Sequence, residues 1–105
     1  MQTIIHKIRL KDVTLVDAFK TWVETKDYVA CKQLNAVKQF DVHHVSSEAN
    51  ADYHFFEVIR ISDMALFEQD MKSEVFAGLV ARFEQMADVV EEITGEQIAD
   101  GYQAS

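Results

Sequence analysis

Proton chemistry near neutral pH needs histidines or displaced carboxyl groups. This chain has four histidines, at positions 6, 43, 44 and 54, and His54 lies close to Glu57 and Arg60. The stretch from Asp52 to Ser62 (DYHFFEVIRIS) is the strongest strand signal, rich in aromatic and β-branched residues. In a strand, His54, Phe56, Val58 and Arg60 share one face, and Glu57 lies on the other. His54 and His6 are the candidate proton-transfer groups. Arg60 is the candidate anchor for a carboxylate or enolate oxygen. The plain alternatives are a hydrogen-bonded core or interface histidine and an ion pair from Arg60 to Asp70 or Glu74.

The elements that must position these groups follow from periodicity. Residues 3–10 alternate as a first strand, with Ile4, His6, Ile8 and Leu10 on one face. Asp12 or Thr14 can cap a helix from Leu15 to about Asp27, whose stripe runs through Leu15, Phe19, Trp22 and Lys26. Residues 28–35 lose the pattern and read as a semi-regular connection. Ala36 to Val45 is a second strand, with Phe40, Val42 and His44 on one face and Gln39, Asp41 and His43 on the other. Residues 46–51 form a turn into the third strand, Asp52 to Ser62. A second helical region begins after a cap at Ser62 or Asp63, breaks near Ser73 and runs to about residue 87. Asp88 to about Thr94 is the fourth strand. The tail from Gly95 to Ser105 has no period and is expected to fray or reach a partner.

The order β-α-β-β-α-β predicts an α+β, ferredoxin-like sandwich: one antiparallel four-stranded sheet with both helices on one face. The third strand is apolar on both faces, with Tyr53, Phe55, Ile59 and Ile61 on one and Phe56 and Val58 on the other. The uncovered face calls for a second copy of the chain, giving a homodimer of face-to-face sheets, the dimeric α+β barrel. If the faces bearing His6, His44 and His54 all point at the helices, they line one cavity with Arg60, and Trp22, Tyr28 and Cys31 close its top. If His54 and Arg60 face the dimer interface instead, Glu57 takes their place beneath the helices.

Composition narrows the function. The chain is 105 residues long, enough for one domain, 1–105. Eighteen acids against ten lysines and arginines give a net charge of -8, which disfavours nucleic acid and anionic membrane surfaces as partners. No apolar run is long enough for a membrane span. A lone cysteine and an N-terminus without a secretory pattern point to the cytoplasm. Cys31 is either a nucleophile or a buried, inert thiol, and no feature of the sequence lowers its pKa. Three histidines, or two with Asp41 or Glu57, could bind zinc or manganese, but no compact ligand spacing exists, and adjacent His43 and His44 point to opposite faces. The expectation is therefore no metal and no cofactor. Phosphate loops, dinucleotide fingerprints and serine-hydrolase elbows are absent from the sequence.

Three segments, residues 21–34 (TWVETKDYVACKQL), 53–59 (YHFFEVI) and 67–76 (FEQDMKSEVF), resemble the REDY-like HapK family. The resemblance covers nearly the whole chain. It implies the dimeric α+β barrel and a role in biosynthesis of prodiginine-type red tripyrrole pigments, on the arm that makes the methoxy-bipyrrole aldehyde. It carries no agreed catalytic set, and related barrels host several chemistries. Two functional readings stand. In one, the protein is an enzyme on a flat pyrrole-type intermediate held between Trp22 or Phe56 and the aromatic residues of the second helical region. His54 or His6 moves a proton, and Arg60 steadies the anion in an enolisation, dehydration, cyclisation or metal-free oxygenation. In the other, it binds an intermediate or a partner enzyme without catalysis. In either reading Trp22, Tyr28, Cys31, His44 and Phe56 are the candidate ligand contacts.

Overall fold

A computed structural model describes residues 1–104. Its sheet consists of β1 (Gln2–Leu10), β2 (Val37–His44), β3 (Phe55–Ile61) and β4 (Ala87–Glu96) in the order β2-β3-β1-β4, with every pair antiparallel. Helices α1 (Val16–Trp22) and α2 (Tyr28–Ala30) connect β1 to β2, and α3 (Met64–Asp70) and α4 (Glu74–Met86) connect β3 to β4. This is the ferredoxin-like arrangement expected from the element order.

Local chemistry sets the boundaries. Asp12 accepts the amide of Thr14 at the entry to the first helical stretch. Asp63 caps α3 through the amide of Leu66, and Ser73 caps α4 through the amide of Phe76. The second helical region is therefore broken at Ser73, as its polar composition predicts. The segment 28–35 departs from expectation. The chain stays helical from α1 through a π turn (Val23–Asp27), α2 and a 3-10 turn (Cys31–Gln33). These changes of helical pitch erase the 3.6-residue period without ending the helix. The loop between β2 and β3 is also longer than expected, spanning residues 45–54, because β3 begins at Phe55 and β2 ends at His44.

The register places a polar row between two apolar layers. On the helix-facing side of β1, Ile4 pairs with Ile59, His6 with Glu57, and Ile8 with Phe55. On the other flank, His6 lies opposite Glu92, held there by a bulge between Lys7 and Ile8. Ile8 and Phe55 join one core cluster with Val16, Phe19, Val23 and Met86. Ile4 and Ile59 join a second with Ala36, Ile61 and Phe67. Between the two clusters the sheet presents His6, Glu57 and Glu92.

Candidate functional site

A cavity of about 440 Å³ opens above that polar row, within the roughly 300–1,000 Å³ common for small-molecule sites. His6 and Glu57 form its floor. Trp22, Asp27 and Cys31 come from the first helical stretch, and Phe76, Leu79, Val80 and Phe83 come from α4. Helix α4 makes this space by standing off the sheet. Its inward row, Phe76, Leu79, Val80 and Phe83, is only half-buried, and Met86 alone is fully buried. Phe19, Trp22 and Phe83 stack at one end, with ring centroids 5.9 to 6.5 Å apart.

The polar floor is tightly paired. His6 Nδ1 lies 2.7 Å from Glu57 Oε2, and His6 Nε2 lies 2.7 Å from Glu92 Oε2. The hydrogen bond to Glu57 is the main cause raising the His6 pKa, burial opposes it, and Glu92 adds to the rise. The imidazolium is thus the favoured form, and both of its N–H groups donate to carboxylates. Asp27 is pushed the other way from an ordinary carboxyl: burial first, and then the charge of Glu57, raise its pKa to about 7. No side-chain hydrogen bond offsets this among the described residues, so its carboxyl opens to the cavity unpartnered. Burial, together with Asp27 and Glu57, pushes the Cys31 thiol to about 11, which keeps it protonated and poorly nucleophilic.

Asp27 owes its position to the π turn. An α-helical continuation of the stripe through Trp22 would turn Lys26 inward. The wider turn carries one more residue, so Lys26 is exposed and Asp27 is drawn in.

The structure separates the groups expected to share one cavity. His6, Trp22 and Cys31 do line it. His54 does not. It is 1% exposed at the bend before β3, where Nδ1 accepts the Leu10 amide at 3.0 Å and Nε2 lies 2.8 Å from the Glu48 carbonyl. Both ring nitrogens thus tie the loop to the end of β1. Arg60 lies on the opposite sheet face, where it donates to Gln97 rather than to Asp70 or Glu74. Asp70 is itself buried and accepts the amides of Asn35 and Ala36. Phe56 shares Arg60's face and stacks on His43 at 4.7 Å. Tyr28 and His44 border a separate recess of about 200 Å³, in which the Tyr28 hydroxyl accepts the Val42 amide and His44 stacks on Phe55.

The physical reason is the phase of β3. Its helix face carries Phe55, Glu57, Ile59 and Ile61, and strand alternation then sends Phe56, Val58 and Arg60 outward. Glu57 therefore occupies the place beneath the helices. The histidines at 6, 44 and 54 are held in three different settings, so they do not form one ligand set. Among the described residues, no group of three His, Cys, Asp or Glu side chains is arranged to hold a metal ion. Sequence reasoning missed Asp27 and Glu92. The π turn hid the first, and the second stood in an acidic strand that reads as a solvated face.

Among the described residues, no helix is long and apolar enough to cross a membrane. No curated protein matches the chain. Among solved structures, HapK from Hahella chejuensis is 55% identical, with a TM-score of 0.98 and complete coverage of both chains (100% and 100%). SnoaB, a cofactor-independent oxygenase from Streptomyces nogalater, is 9% identical over 95% of this chain and 97% of that one, with a TM-score of 0.68. A dabb family protein with a ferredoxin-like fold from Mesorhizobium loti is 17% identical over 94% and 100%, with a TM-score of 0.67. These two distant likenesses speak to the fold alone. The family model described as REDY-like protein HapK matches residues 2–98, and with the 55% identical relative it shows that the chain belongs to the REDY-like HapK family.

Proposed function

We propose that the chain is a small biosynthetic protein of prodiginine-type pigment formation. It acts on, or holds, an intermediate of the methoxy-bipyrrole aldehyde arm in the helix-covered cavity. One observation carries the reading: an aromatic-walled cavity of about 440 Å³ ends on Asp27 and the His6–Glu57 pair. With its pKa raised to about 7, Asp27 has both protonation states available near neutrality, which suits a group that takes a proton and returns it. Glu57, fixed by the imidazolium of His6, orients the ring through its free oxygen. Such chemistry covers enolisation, dehydration or cyclisation, and proton transfer of this kind needs no cofactor.

A second reading, a non-catalytic holder that shields the intermediate, is favoured by the engagement of both ring nitrogens of His6. Incubating the wild type and Asp27→Asn with the bipyrrole alcohol, aldehyde and ketone forms, followed by mass spectrometry in deuterated water, separates the two. Enzyme-dependent turnover or deuterium uptake that disappears in the variant supports catalysis. Binding without either supports the holder. Absence of binding refutes both.

The assembly belongs to the same proposal. The sheet face away from the helices carries Ile5, Phe56, Val58 and Ile93 around Arg60, and no element of the chain's helical layer covers it. A second copy of the chain packed there forms the homodimer expected of face-to-face sheets. We further place the protein in the cytoplasm, where the single free thiol, Cys31, stays reduced.

A further inference from the structure

We infer that Asp27 and Glu57 select the ligand by charge: the cavity accepts a ring that offers an N–H, neutral or protonated, and rejects the same ring bearing a carboxylate or phosphate. The inference rests on the aromatic-ligand reading above and assigns its specificity to two residues.

The balance of donors and acceptors in the cavity carries the argument. Asp27 has no hydrogen-bond partner in its carboxyl among the described residues, and Glu57 commits only Oε2, to His6. Both have oxygens left to accept. The cationic donor nearest them, His6, is saturated, because Glu57 and Glu92 take its two N–H groups. The guanidinium that could hold an anion, Arg60, lies on the other face of the sheet. Lys11 reaches the cavity only at an exposed rim, which Glu84 and Asp88 also line. An anion entering this space gives up its hydration and meets carboxyl groups in a weakly screened, apolar-walled pocket. A pyrrole N–H entering it exchanges a water for a charge-assisted hydrogen bond.

Trp22 supplies the probe. It is the only tryptophan in the chain and stands in the cavity wall, so its fluorescence reports occupancy. Three ligands are titrated at pH 8: 2,2'-bipyrrole-5-carbaldehyde, its N,N'-dimethyl derivative and 2,2'-bipyrrole-5-carboxylate. Loss of one hydrogen bond to a charged acceptor weakens binding by about ten- to a hundredfold. The aldehyde should therefore bind at least about tenfold more tightly than its N,N'-dimethyl derivative, and lost hydration with repulsion from the cavity carboxyl groups should weaken the carboxylate by about tenfold or more. Asp27→Asn, which leaves the His6–Glu57 pair in place, should tighten the carboxylate relative to the aldehyde by about tenfold. Equal binding of aldehyde and carboxylate by the wild type overturns the inference while leaving the aromatic-ligand reading standing. Failure of all three ligands to change Trp22 emission overturns both.

Discussion

Replacing Asp27 by Asn should stabilise the protein at alkaline pH and leave it nearly unchanged in acid. The carboxyl titrates at 3.8 in the unfolded chain and at about 7 in the folded one. Between those values the folded state holds a proton that the unfolded state has lost, so stability falls as pH rises through that window. At about 1.4 kcal/mol for each tenfold change in proton affinity, the full cost of the ionised carboxyl is about 4.5 kcal/mol. Water admitted by the open cavity lowers this to roughly 2–4 kcal/mol. Asn keeps the volume and cannot ionise. Near pH 4 the two proteins should unfold together, and at pH 8 the variant should be more stable by about that amount, or roughly 10 °C or more in Tm. His6 contributes a trend of the same sign. Its raised pKa gives stability that is fully present below 6.5 and is lost as pH rises through the folded value. Because that contribution is present in both proteins, it largely cancels in their difference. The assay is urea unfolding followed by circular dichroism from pH 4 to 8 at one protein concentration. Parallel stability curves, or a variant less stable at pH 8, would refute the buried placement of Asp27.

Three further substitutions test the remaining assignments. His54→Ala strips partners from the Leu10 amide and the Glu48 carbonyl and empties a fully buried site, so it should cost about 3–4 kcal/mol in chemical denaturation, while the folded fraction still quenches Trp22 with ligand. Asp70→Ala leaves the amides of Asn35 and Ala36 unpaired, at a cost of roughly 2–4 kcal/mol in the same measurement. Val58→Glu places a charge in the middle of the uncovered sheet face; sedimentation should show dimer for the wild type and monomer for the variant, and a wild-type monomer would remove the face-to-face barrel.

The sequence was most legible where pattern and chemistry agree. Alternation in residues 3–10 correctly puts His6 on the face of Ile4 and Ile8, and the oxygens of Asp12, Asp63 and Ser73 mark helix starts that the structure shows. It was least legible where two solutions look alike. β3 is apolar on both faces, so period two divides its residues without saying which set meets the helices. The pairing of Phe55 with Ile8 and of Ile59 with Ile4 decides that, and it exists only in three dimensions. Asp27 lies outside the candidate site read from the sequence because α-helical spacing points to Lys26. Glu92 fell outside it because its meeting with His6 depends on a bulge in the partner register. Of the cavity lining, His6, Trp22 and Cys31 could be named from residue type and position, and Glu57 only from the alternative phase of its strand.

The most direct test of the central claim is a crystal structure of the protein soaked with a bipyrrole intermediate. Density for the rings is expected between the aromatic row of α4 and the sheet, with a pyrrole nitrogen within hydrogen-bond distance of Asp27 or Glu57. Density on the opposite sheet face, beside Arg60 and Phe56, with the helix-covered cavity unfilled, would contradict it.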